Sequence, residues 1–163
     1  MHIYLDNNYY FITCRTKDLK DYFSSEQAKI LILEKFYLVK VKFNLNELIY
    51  AILNNHYHFL TYIRNGLDLP KIMQVINGLI SKELNLNLNH RLWDIYFDKF
   101  IVSENDYLKV IGYIKGNPLK HNLVMHLDDL KDYRFCSYNE IAKKYGHQGA
   151  IELITKIKNL NWE

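Results

Sequence analysis

Two imidazoles stand one residue apart in Asn54-Asn55-His56-Tyr57-His58-Phe59-Leu60, and far downstream a tyrosine and an asparagine stand four apart in Tyr113-Ile114-Lys115-Gly116-Asn117-Pro118. On a strand, alternate side chains share a face, so His56 and His58 point the same way with their Cα atoms about 7 Å apart. On a helix, Tyr113 and Asn117 lie one turn apart on one face. Two imidazoles and an amide oxygen can hold a divalent metal, and a tyrosine hydroxyl beside it is a nucleophile. That is equipment for cutting a phosphodiester through a tyrosine ester. Each part alone has a plainer reading. The histidines read as ordinary strand residues, Tyr113 as a packed helix-face aromatic among 14 tyrosines, and Asn117 as a helix C-terminal residue before proline. The ordered combination is what points to chemistry.

The elements that would position these groups can be read along the chain. Tyr9 to Thr13 mixes aromatic and β-branched residues and predicts a strand. Ser24 and Gln27 match a capping box and open a helix that ends near Lys42. Asn46 to Leu53 predicts a strand, Asn54-Asn55 a tight left-handed turn, and His56 to Arg64 the return strand of that hairpin. Pro70 suits a helix first turn, and Ile72, Met73, Val75, Ile76, Leu79 and Ile80 carry a helical period that frays in Leu84 to Asn89. Trp93 to Val102 reads as a fourth strand. Ser103 caps a helix that Pro118 should end near Asn117. Ser137 and Glu140 form another capping box, opening a helix that stops at Gly146. A last amphipathic helix is expected from Gln148 to Asn161, through Ile151, Ile154, Ile157 and Leu160.

The β-α-β-β-α-β order predicts an α+β, ferredoxin-like fold: an antiparallel four-stranded sheet, two helices on one face, and the other face free for function. At 163 residues one domain over 1–163 is expected, with 137–163 as a helical C-terminal extension. The formal net charge of +3 permits a nucleic-acid partner without arguing for one. Cys14 and Cys136 make no metal or disulfide framework, which fits a reducing compartment. No signal peptide and no run of membrane-spanning length is visible, so a cytoplasmic protein with no membrane partner is expected.

Asn55-His56-Tyr57-His58-Phe59-Leu60 resembles the His-hydrophobic-His motif of the HUH endonucleases. The stretch from Asp106 to Val124, with Gly112-Tyr113-Ile114-Lys115-Gly116-Asn117-Pro118 at its centre, resembles the signature of the REP-associated tyrosine transposases, relatives of the IS200-like single-tyrosine transposases. Arg91-Leu92-Trp93 with Phe97, and Cys136-Ser137-Tyr138, fit the same pattern in order, so the resemblance spans about residues 9 to 140. There are departures. Leu53-Asn54-Asn55 stands where the family has Met-Pro-Asn, Lys120-His121-Asn122 where it has Arg-Ala-Gly, and Phe135-Cys136-Ser137-Tyr138 where it has Trp-Ser-Ser-Tyr. None removes a presumed reacting group.

The resemblance implies a metal-dependent single-stranded DNA endonuclease and strand transferase acting beside hairpins. In that reading Tyr113 attacks the phosphorus and forms a 5′-phosphotyrosine, while His56, His58 and Asn117 bind Mg²⁺ or Mn²⁺. Candidate DNA contacts are Lys40, Lys42, Arg64, Lys71, Lys82, Arg91, Lys99, Lys115 and Lys120, with Lys115 or Lys120 also near enough in sequence to help ionise the tyrosine. Monomer and homodimer are both open. So is a domesticated protein that binds hairpin DNA or RNA without cutting it.

Overall fold

The computed structural model describes residues 2–155. Its elements are β1 (Asn8–Arg15), α1 (Glu26–Lys42), β2 (Leu48–Ile52), β3 (His56–Ile63), α2 (Asp68–Leu84), β4 (Phe97–Phe100), α3 (Glu104–Lys120) and α4 (Tyr138–Thr155), with short 3-10 turns at Lys17–Leu19 and Leu127–Lys131. The strands form one sheet in the order β2-β3-β1-β4, and every neighbouring pair is antiparallel. This is the ferredoxin-like arrangement that the order of elements predicts. β3 and β1 lie in the middle, so the His-Tyr-His segment sits on a central strand. No helix among the described residues is long and apolar enough to cross a membrane.

The period of two along the strands divides the side chains between two cores. Tyr10, Ile12, Cys14, Tyr57 and Phe59 face α1 and α2, where they meet Phe36, Ile72 and Ile76. Phe11, Ile49, Ala51 and Leu60 face the other way and meet Ile111, Ile114 and Ile154 of α3 and α4. The second face is therefore not free, as the sequence leads one to expect. The C-terminal helices cover it, and any site on it lies between sheet and helix.

Several local signals resolve differently from the sequence reading. Ser25, not Ser24, caps α1 by accepting from Ala28 N at 3.2 Å; the Ser24 hydroxyl instead donates to Asp21 O. Asn54 and Asn55 are not left-handed, since the positive-φ asparagines are Asn7, Asn44, Asn85 and Asn122. The hairpin closes through Leu53 N to His56 O at 2.9 Å, and Asn54 serves it by accepting from Lys29 Nζ at 2.7 Å.

β4 keeps only four residues. Trp93 keeps an isolated antiparallel bridge to Thr16, but residues 94–96 leave the ladder; the Trp93 ring enters the α1–α2 core, where its indole N–H donates to Asn77 O. Pro118 does not end α3; the helix runs on to Lys120 with the proline in its last turn. Ser137 is no cap. It is fully buried, and its backbone N–H and hydroxyl exchange hydrogen bonds with Tyr50 O and N, both at 2.9 Å. With Ile52 N donating to Phe135 O at 2.8 Å, residues 135–137 pair along the outer edge of β2. Gly146, at φ 75°, breaks α4 where a stop was expected. The final turns expected through Ile157 and Leu160 fall outside the described residues.

Candidate active site

β3 presents His56 and His58 on the α3 face, with Leu60 following in the same row. α3 presents Tyr113 and Asn117 one turn apart toward them. The sheet and the helix thus bring the four residues together. The His56 and His58 rings are 4.9 Å apart between centroids, edge to face. The Tyr113 ring meets His58 at 5.3 Å and Phe11 at 5.9 Å, both edge to face. All four are buried: His56 and Tyr113 are each 5% exposed, Asn117 1% and His58 0%.

The hydrogen bonds around the cluster decide which atoms face inward. His58 Nδ1 pairs with Thr13 Oγ1 at 2.8 Å, directly across the β1–β3 ladder. His56 Nδ1 pairs with Asn55 Oδ1 at 2.6 Å. Asn55 Nδ2 donates to Leu19 O at 3.0 Å, which fixes the amide so that its oxygen receives the imidazole N–H. That bond assigns the proton to His56 Nδ1 and the lone pair to Nε2. Asn117 Nδ2 donates to Tyr113 O at 2.8 Å, which leaves its oxygen as the group turned away from the helix. Partners of this kind hold a ligand ring in one tautomer and orientation.

Two polar atoms at the centre of this arrangement are buried without a hydrogen-bond partner among the described residues: His58 Nε2 and Asn117 Oδ1. Burial, reinforced by His56 and His121, holds the His58 imidazole well below its ordinary pKa. The ring is therefore neutral, the form that ligates metals. A neutral imidazole nitrogen and an amide oxygen left unpaired in a dry interior cost free energy unless something binds them. Imidazole and amide oxygen form a donor set for Mn²⁺ or Mg²⁺, so the residues present fit a divalent cation. Among the described residues no cluster of three His, Cys, Asp or Glu offers an alternative.

The predicted basic contacts distribute unevenly. Lys40, Lys42, Lys71 and Lys82 lie on α1 and α2, across the sheet from the histidines, and Lys71 is paired with Asp68 at 2.8 Å. Arg64 is exposed just beyond β3, and Arg91 lines a groove against α2. Lys99 stands opposite Phe11 on β4 and so shares the site face. Lys120 lies over the Tyr113 ring, its Nζ 5.4 Å from the centroid. Lys115 cannot touch DNA from the surface, because it is fully buried. It leaves α3 on the side away from Tyr113, near Cys136, and burial lowers its pKa to about 7.

Four neighbours escape the sequence reading. Thr13 and Asn55 orient the histidines. Arg15 pairs with His56 in the strand register and, with Thr13, Leu19, Asn55, His56 and His121, lines a cleft of about 110 Å³. The His121 ring stands 4.8 Å from that of His56. Period-two spacing from Thr13 and the i+4 step from Asn117 were the available signals.

A search against protein-family models and one against curated proteins returned no match. Among solved structures, a REP-associated tyrosine transposase bound to a REP hairpin is similar with a TM-score of 0.74 and 18% identity, over 88% of this chain and 85% of that one. A protein described as a transposase from Deinococcus radiodurans R1 is similar with a TM-score of 0.51 and 18% identity, over 71% of this chain and 95% of that one. Identity at this level speaks for architecture, and the chain has the fold of a REP-associated tyrosine transposase.

Proposed function

We propose that the protein is a transposase of the REP-associated kind that nicks and rejoins single-stranded DNA beside a hairpin, through a covalent bond to Tyr113. The observation that carries this reading is the convergence of His56, His58, Asn117 and Tyr113 in one buried cluster, with His58 Nε2 and Asn117 Oδ1 left unpaired toward its centre. The fold shared with a hairpin-bound transposase supports it.

In the reaction, the Tyr113 oxygen bonds to the phosphorus as the bond from phosphorus to the 3′ oxygen breaks. The hydroxyl proton leaves to solvent and the departing oxygen gains one, giving a 5′-phosphotyrosine and a 3′-hydroxyl. The ester keeps the bond energy, so a second 3′-hydroxyl can reverse the step. His56, His58 and Asn117 would hold Mg²⁺ or Mn²⁺, which supplies Lewis-acid stabilisation of charge on a phosphate oxygen. Thr13 and Asn55 keep the two imidazoles in orientation. Phe11 and His58 hold the Tyr113 ring edge-on.

The test is covalent trapping. End-labelled single-stranded hairpin DNA from the flanks of the coding region is incubated with Mn²⁺ or with chelator and resolved under denaturing conditions. A labelled protein band that needs metal and vanishes in Tyr113→Phe is expected. Hairpin binding without a band would replace this reading with a non-cleaving hairpin-binding protein.

A further inference from the structure

We propose that Arg15 is a phosphate-binding residue, and that the cleft it forms with His56 and His121 seats a phosphodiester of the single-stranded DNA next to the Tyr113 cluster. This rests on the nuclease reading above for its substrate, but the cleft itself is an independent feature. Three observations carry it.

The first is register. Arg15 is the residue opposite His56 in the β1–β3 ladder, and it continues the row Phe11, Thr13, Arg15 on the site face. Its position beside the first histidine is therefore set by the sheet and not by a loop. The second is charge. The side chain is exposed, and among the described residues no carboxylate forms an ion pair with it. A guanidinium held on a rigid strand without an acidic partner is suited to bidentate recognition of a phosphate. The third is shape. The cleft of about 110 Å³ is lined by Thr13, Arg15, Leu19, Asn55, His56 and His121, so the guanidinium shares it with two imidazoles and a hydroxyl. That volume accommodates a phosphate group, and His56 belongs both to the cleft and to the buried cluster.

A strand crossing this face would place one phosphate against Arg15 while the adjoining part of its backbone reaches Tyr113. His121 forms the wall that limits which way the strand can run, because it follows Asn117 by one turn at the C-terminus of α3 and packs against His56. Positioning of this kind converts encounter with the tyrosine into a pre-aligned attack.

The probe is the dinucleotide d(TpT), which carries a single phosphodiester, titrated into ¹⁵N-labelled protein and followed by NMR at the Arg15 Nε and the His56 and His121 rings. Its uncharged methylphosphonate analogue and inorganic phosphate are run beside it. Expected are shifts at all three residues, weak or absent binding of the analogue, and a loss of affinity of about tenfold or more in Arg15→Ala with partial recovery in Arg15→Lys. The ratio between d(TpT) and its analogue should collapse in Arg15→Ala, which a merely structural role would not cause. Inorganic phosphate that binds as well as d(TpT) would make the cleft a free-anion site and overturn the proposal. So would unchanged d(TpT) affinity in Arg15→Ala, or no shift at these residues. Failure of covalent trapping with d(TpT) binding intact would strike the nuclease reading alone.

Discussion

Asn117 and Asn55 do different work with the same side chain. Asn117 has its amide nitrogen tied to Tyr113 O and its oxygen unpaired in the interior. Replacing it with alanine removes one hydrogen bond and one unsatisfied acceptor together, so stability should change by no more than about 1 kcal/mol. Mn²⁺ affinity, read by calorimetric titration, should fall about tenfold or more. Asn55 is not among the proposed ligands, yet its oxygen pairs with His56 Nδ1, and loss of such a partner typically costs ligand affinity ~10–100-fold. Asn55→Ala should therefore weaken Mn²⁺ binding on that scale while leaving the thermal midpoint nearly unchanged. The histidine pair was legible in the sequence because strand alternation alone puts His56, His58 and Leu60 on one face. Thr13, Asn55 and Arg15 were not: period-two spacing puts Thr13 and Arg15 on one face, but that this face lies beside the histidines depends on cross-strand register, and the Asn55 role on a side-chain bond to Leu19.

α3 carries a buried lysine on one side and the proposed nucleophile on the other. Burial lowers the Lys115 pKa to about 7 in the folded state, so the amine is neutral above that pH, whereas the unfolded chain holds its proton until about pH 10.4. Between those values the unfolded state binds the extra proton, so this group makes folding less favourable as pH falls from 10 toward 7. Lys115→Met should stabilise the protein at pH 7 by on the order of 2 kcal/mol. The gain should shrink as pH rises toward 10, which denaturant titrations at three pH values would show. Tyr113 chemistry should survive the change, since Lys115 leaves the helix on the far side. At this scale the sequence misled in specific ways. Ser137 with Glu140 has the pattern of a cap, but the serine is drawn into pairing with Tyr50 because β2 needs a partner on its outer edge. Trp93 to Tyr96 reads as strand by composition, but the ladder is interrupted between the Trp93 bridge to Thr16 and the start of β4 at Phe97. Proline punctuates a helix weakly when it falls in the last turn, which is why α3 outruns Pro118.

The whole molecule is a sheet between two helical layers, and the site belongs to only one of them. The β-α-β-β-α-β order made the sheet topology readable, because connectivity alone restricts it to few arrangements. The covering of the second face was not readable, since α3 and α4 have no sequence mark for where they dock. One long-range tie fastens the start of the chain to the corner between β3 and α2. Gly66 N donates to Asp6 Oδ1 at 2.8 Å, and a Cβ at Gly66 would come within 2.8 Å of Leu5 O. That neighbour is backbone and cannot step aside. Gly66→Ala should cost about 1–3 kcal/mol, seen as a lower urea midpoint at unchanged slope.

The pairing of residues 135–137 with β2 also sets an order of events at the ribosome. Every side chain of the proposed reaction has been synthesised once Asn117 is made, but the partner of the β2 edge arrives only with Phe135, Cys136 and Ser137. A chain terminated and released between those points carries every donor but leaves the β2 edge open, the form most inclined to pair with a neighbouring chain. Premature termination in that window should therefore yield aggregates and not a shortened nuclease.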